Sequence, residues 1–131
     1  MNDEGRYLHL TPMLCVRDLD ASVPFYERLG FTVAFREEHI ALMTLGAMRL
    51  YLFLASPPTE DKPGVALVPQ PDPGTGNVIV VLGVEDCRAA HEELTKRGLV
   101  FLTPPVSPPW GGWRCFLQDP DGYVVEIEQA G

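Results

Sequence analysis

Val16-Arg17-Asp18-Leu19-Asp20-Ala21-Ser22-Val23-Pro24-Phe25-Tyr26-Glu27-Arg28-Leu29-Gly30-Phe31 is the stretch whose reading decides the fold. It leaves a β-rich run, Leu8 to Val16, and passes an acidic residue into a helical pattern that stops at a glycine. Val23 and Phe25 to Leu29 supply a buried side, which predicts a helix over Ala21 to Leu29. Pro24 then falls in the first turn, where a missing N–H is tolerated. Gly30 stands where a left-handed cap is wanted.

The same marks return 68 residues later, with Val84, Asp86 and Gly98 in the places of Val16, Asp18 and Gly30. Cys87, Ala90, His91 and Leu94 keep the i, i+3, i+4, i+7 stripe of a helix running to Arg97. Lys96 and Arg97 close it with the charge that suits the helix dipole. Three marks at one offset argue for a tandem repeat of half the chain length. Strands follow each helix: Phe31 to Arg36, His39 to Leu45 and Met48 to Leu54 in the first half, then Val100 to Thr103, Trp113 to Gln118 and Tyr123 to Glu128 in the second. Each half reads β-α-β-β-β, an α+β architecture.

Six of the 13 prolines lie in Pro57 to Pro73 and four more in Pro104 to Pro109. Proline removes a backbone donor and fixes φ, so both segments are loops. Residues 7–55 form the first module, 56–76 a Pro-rich linker and 77–129 the second module of one domain. Within the linker, Val65-Ala66-Leu67-Val68 is apolar and predicts a docked segment.

The chain has 131 residues and a formal charge of −8, with 46% hydrophobic residues. That fraction can bury enough apolar surface to offset ordering entropy. The acid excess argues against nucleic acid, whose phosphates call for clustered Lys and Arg. No apolar run, Val78 to Leu82 included, is long enough to span a bilayer. Neither a basic start nor an apolar stretch marks a secretory signal. Cys15, Cys87 and Cys115 are odd in number and far apart in sequence, which predicts no disulfide framework and no zinc cluster. A reducing cytoplasm is the expected location.

Alternation sorts the strand faces. Leu50, Leu52 and Leu54 oppose Arg49, Tyr51 and Phe53. Leu10, Leu14 and Val16 oppose His9, Thr11, Met13 and Cys15. Val125 and Ile127 oppose Glu126 and Glu128. Arg114, Phe116 and Gln118 oppose Trp113, Cys115 and Leu117. Tyr51, Phe53 and Phe116 are too many large apolar groups for an ordinary solvated face, which predicts a cavity or an interface. Trp113 and His91 read as structural, His39 as an exposed turn residue, and Asp119-Pro120-Asp121-Gly122 as a β-turn rather than a calcium loop.

Val16 to Ser22 with Phe25 to Phe31 resembles the opening signature of the vicinal oxygen chelate superfamily. Trp110-Gly111-Gly112-Trp113-Arg114 and Asp119 to Ile127 resemble its closing signature. That superfamily includes glyoxalase I, extradiol dioxygenases, fosfomycin-resistance thiol transferases and bleomycin-resistance proteins. The resemblance implies paired β-α-β-β-β modules curling around a cavity, commonly in a homodimer. It also implies divalent-metal ligands at four positions, which fall here on Thr11, Tyr51, Ile79 and Glu126. Glu126 alone is a good ligand, with His9 a neighbouring candidate on the Thr11 face; Thr is a weak ligand, protonated Tyr a poor one, and Ile cannot bind.

This departure moves the expectation to a metal-free protein that binds and sequesters a planar or cationic antibiotic-like ligand. Phe35, Arg49, Tyr51, Phe53, Trp110, Arg114, Phe116 and Glu126 would line its cavity, with stacking and charge doing the binding. The alternatives are a divergent metal-dependent lyase, isomerase or dioxygenase holding its ion with His9 and Glu126, and a non-catalytic module whose sheet face packs on a partner protein.

Overall fold

The computed structural model describes residues 3–131. The chain divides into two compact units, the first ending at Pro69 and the second spanning Gln70–Gly131. The first contains β1 (Met13–Val16), α1 (Leu19–Leu29), β2 (Thr32–Arg36), β3 (Ile40–Leu45) and β4 (Met48–Leu54). Its sheet runs β1-β4-β3-β2, with β1 parallel to β4 and the other pairs antiparallel.

Asp18 caps α1 by accepting from the Asp20 N–H at 2.9 Å. At the other end Gly30 takes φ 117°, and Phe31 N–H reaches back to Tyr26 O at 3.1 Å. The helix begins two residues earlier than the sequence predicts, so Pro24 lies inside it rather than in its first turn. There it has no N–H to offer the Asp20 carbonyl, a cost the buried face of α1 must cover. That face, with Leu19, Val23, Tyr26 and Leu29, packs on Ala41, Met43, Leu50 and Leu52 of the sheet. Tyr26 is fully buried, edge-on to Phe25 and Phe31 at centroid distances of 5.0 and 6.3 Å. Each such side chain removed from water stabilises the fold by about 1.5–3 kcal/mol.

The predicted strand over Leu8 to Val16 is shorter in the structure. Pro12 gives its carbonyl to Tyr51 N–H (2.9 Å) but has no donor of its own, and the ladder starts after it. Leu10, which alternation placed on the buried face, is 89% exposed. The Pro-rich segment is ordered by local bonds: Ser56 and Leu67 exchange backbone hydrogen bonds, and Lys62 Nζ donates to Pro57 O and Val65 O. The expected docking of Val65 to Val68 reduces to Leu67, since Val65 and Val68 are exposed.

The second unit contains β5 (Ile79–Gly83), α2 (Cys87–Lys96), β6 (Trp113–Gln118) and β7 (Val124–Gln129), in the sheet order β5-β7-β6 with β5 parallel to β7. Asp86 repeats the cap of Asp18, accepting from Ala89 N–H at 3.1 Å, and Gly98 repeats the left-handed turn of Gly30 at φ 93°. The expected strand Val100 to Thr103 is instead one isolated bridge, Phe101 to Leu117. Pro104 and Pro105 follow at once and can donate nothing to a longer ladder. Cys87, Leu94 and Leu99 pack with Cys115, Leu117, Val125 and Ile127 in the core.

The turn joining β6 to β7 is tied down. Asp119 Oδ1 accepts from Asp121 N–H and Tyr123 N–H, each at 2.9 Å. Gln70 Nε2 donates to Gly122 O at 2.9 Å, and Gln118 Nε2 to Pro73 O at 2.6 Å. Gly122 sits at φ 86°, where a Cβ would stand 2.4 Å from Pro73 Cβ. No larger residue fits there. The segment expected as a β-turn is one, and it also anchors the start of its unit.

Candidate functional site

Each unit presents one sheet face opposite its helix-packed face. In the first unit the register builds a row across all four strands: Met13 beside Tyr51, Tyr51 beside Leu42, Leu42 beside Phe35. Phe35 and Met13 are nearly half exposed and Tyr51 is half-buried. Phe53 lies on the same face one step along, between Cys15 and Ile40. Arg49, Tyr51 and Phe53 therefore share one surface, as period-2 alternation predicts.

Arg49 is held in place. Its Nε donates to Thr11 Oγ1 at 3.1 Å, and that hydroxyl stands 2.8 Å from His9 Nδ1. Having accepted from Arg49, Thr11 has its own proton to donate to His9 when the ring carries its hydrogen on Nε2. Alternation alone could not show this chain, because it depends on β1 running parallel beside β4.

In the second unit, Glu126 faces Phe116 on one side and Val81 on the other, with Arg114 opposite Glu128. Arg114 does not form an ion pair with either glutamate. Its guanidinium lies over the Trp110 ring at 4.9 Å and the Phe116 ring at 5.3 Å. The aromatic faces expected to meet a ligand cation thus already carry one of the protein's own. Neither glutamate has an ion-pair partner among the described residues, in contrast to the exposed pairs of α2, Lys96–Glu92 and Arg97–Glu93.

A cleft of about 260 Å³ opens beside them, lined by Trp110, Trp113, Arg114, Glu126, Glu128 and Gln129 among others. Beside it Gly112 passes close to the last strand, where a Cβ would stand 2.1 Å from Gln129 O. That approach and the positive φ of both residues, 95° and 72°, explain the paired glycines Gly111 and Gly112 of the motif. Trp113, expected to be structural, lines the cleft with the Arg88 guanidinium 4.4 Å from its ring centre. Phe116 lies under Arg114 and is not part of the cleft wall. A cleft of this size takes one ring or a charged side group; drug-sized ligands fill roughly 300–1,000 Å³.

The remaining singled-out residues lie apart from these faces. His91 packs on Phe101 at 4.5 Å, and His39 is exposed. Cys87 and Cys115, far apart in sequence, meet in the core with sulfurs 3.6 Å apart. Burial pushes both thiols up, Cys115 to about 12, so they are protonated at neutral pH and poor nucleophiles.

The four positions that the resemblance assigns to a metal do not fit a divalent ion. Thr11 is engaged by a fixed guanidinium charge, Ile79 is apolar, and Tyr51 offers a phenol. No group of three or more His, Cys, Asp or Glu comes together among the described residues. A divalent ion needs several anionic or imidazole donors in one place, and a neighbouring cation opposes it.

Residues 6–127 match the family model described as Glyoxalase/Bleomycin resistance protein/Dioxygenase superfamily. A bleomycin resistance protein of Klebsiella pneumoniae is 29% identical over 126 residues, spanning 91% of this chain and 90% of that protein. The crystal structure of a glyoxalase-related enzyme from Fulvimarina pelagi aligns with a TM-score of 0.72 at 30% identity, covering 94% of this chain and 88% of that one. A bleomycin-binding protein complexed with bleomycin aligns with a TM-score of 0.69 at 26% identity, covering 95% of this chain and all of that one.

Proposed function

The chain belongs to the glyoxalase/bleomycin resistance protein/dioxygenase superfamily, and from that premise we propose that it binds and sequesters a planar or cationic, antibiotic-like small molecule without a metal and without transforming it. The observation that carries this reading is the guanidinium of Arg49 bonded to Thr11, at a position where the family's enzymes hold a metal ligand. What remains on the two faces is binding chemistry. Tyr51, Phe53 and Phe35 offer apolar and aromatic surface in one unit; Trp110, Trp113 and the unpaired carboxylates of Glu126 and Glu128 offer a ring-sized, acidic cleft in the other. Aromatic stacking and attraction of a cation to carboxylates both operate without bond-making. The similarity to a bleomycin resistance protein and to a bleomycin-binding protein supports this ligand class. A cytoplasmic homodimer is part of the same reading. Among the described residues no helix is long and apolar enough to cross a membrane.

Tryptophan fluorescence tests it, since both tryptophans line the acidic cleft. Bleomycin and related cationic compounds should give a saturable change that weakens about tenfold or more in Glu126→Gln, the scale of a lost charge-assisted contact. A correctly folded protein that responds to none of them contradicts the proposal.

A further inference from the structure

The first unit's open face sets a polar row beside an apolar one. Register puts Thr44 next to Arg49 and Thr32 next to Thr44, while the adjoining row is Met13, Tyr51, Leu42 and Phe35. Arg49 is half-buried, and its one hydrogen bond among the described residues runs from Nε to Thr11. Its two Nη groups have no acceptor there, although the chain has 18 acidic residues to 10 basic. No buried side-chain donor lacks a partner among the described residues, so these Nη groups reach solvent and are open to a ligand. Seating Arg49 by Nε also leaves the planar fork that suits a carboxylate.

We propose that Arg49, oriented by Thr11, anchors the carboxylate of a planar aromatic acid whose ring lies on the Tyr51 row. This deepens the binding function proposed above and rests on it, giving the ligand an acidic group as well as a flat one. Residues two apart along a strand are about 7 Å apart, the reach from a carboxylate to the far ring of a two-ring acid. Thr11 is a positioning residue: without it Arg49 keeps its charge and loses its direction.

Calorimetric titration with matched probes tests the proposal. Naphthalene-2-carboxylate should bind the wild-type chain about tenfold or more tighter than naphthalene-2-carboxamide, the difference expected for a charge-assisted pair. Arg49→Gln should abolish that preference. Arg49→Lys and Thr11→Val should each reduce it several-fold, whereas Arg36→Gln, at an exposed pair with Asp20, should preserve it. Equal binding of acid and amide by the wild-type chain overturns the inference and leaves the binding function standing. So does a preference that survives Arg49→Gln, and tighter Arg49-dependent binding of 2-naphthyl phosphate overturns the carboxylate assignment. Failure of these probes and of every cationic compound to bind overturns the binding function itself.

Discussion

The two units share one pattern and finish it differently. Both helices start at an aspartate cap, Asp18 and Asp86, and both turn through a left-handed glycine, Gly30 and Gly98. The first unit completes a four-stranded sheet around the fully buried Tyr26. The second has three strands, a bridge where a fourth would lie, and Leu94 in the place of Tyr26. It compensates with polar fastening, Asp119 and Gln70 tying down a turn that its counterpart, Gly46-Ala47, leaves open. The chemistry of the open faces diverges too: a seated, unmatched cation on one, unpaired carboxylates beside a stacked arginine on the other. The caps and glycine turns recur in both units, while the chemistry of the open faces differs.

The largest effect should come from the cores. Tyr26→Ala should cost about 4 kcal/mol in urea unfolding and Leu94→Ala about 3 kcal/mol, in line with large-to-small core substitutions. A reversed order would mean that the second unit is the better packed. The turns should separate next. Gly122→Ala combines positive φ with a collision on Pro73 and should cost about 3 kcal/mol, against about 1 kcal/mol for Gly46→Ala, where φ is 59° and the space is empty. Equal costs would show that the fastening around Gly122 contributes nothing.

Alkaline pH sharpens the contrast, because the thiol pair belongs to the second unit. An unfolded thiol ionises near 9.0, whereas burial holds Cys115 up to about 12. Its contribution to stability is therefore complete below pH 9 and is lost as pH rises from 9 toward 12. Urea midpoints should fall across that range, and Cys115→Ala should fall less steeply. The smallest effects should come from exposed ion pairs. Arg36→Gln and Arg97→Gln should each shift stability by less than about 0.5 kcal/mol.

Much of this was legible in the sequence. The 68-residue offset located both caps and both glycine turns, and the bounds of β4 and β6 followed from alternation. What escaped depends on neighbours that a linear reading lacks. Pro24 reads as a first-turn residue only if the helix starts at Ala21, and Leu10 reads as a buried residue only if the ladder extends before Pro12. Val100 to Thr103 looks like a strand, but its pairing stops at the prolines. Among the candidate residues, the faces of Arg49, Tyr51, Phe53 and Glu126 were readable. The bond of Arg49 to Thr11, the stacking of Arg114 and the meeting of Cys87 with Cys115 were not, since each needs pairing between distant strands or the path of a loop.

The central proposal is that this chain binds its ligand without a metal. It is tested most directly by metal analysis of protein purified without chelator, followed by bleomycin titration with and without EDTA. The account predicts substoichiometric divalent metal and the same affinity in both titrations. About one tightly held divalent ion per chain, lost in Glu126→Ala, would contradict it.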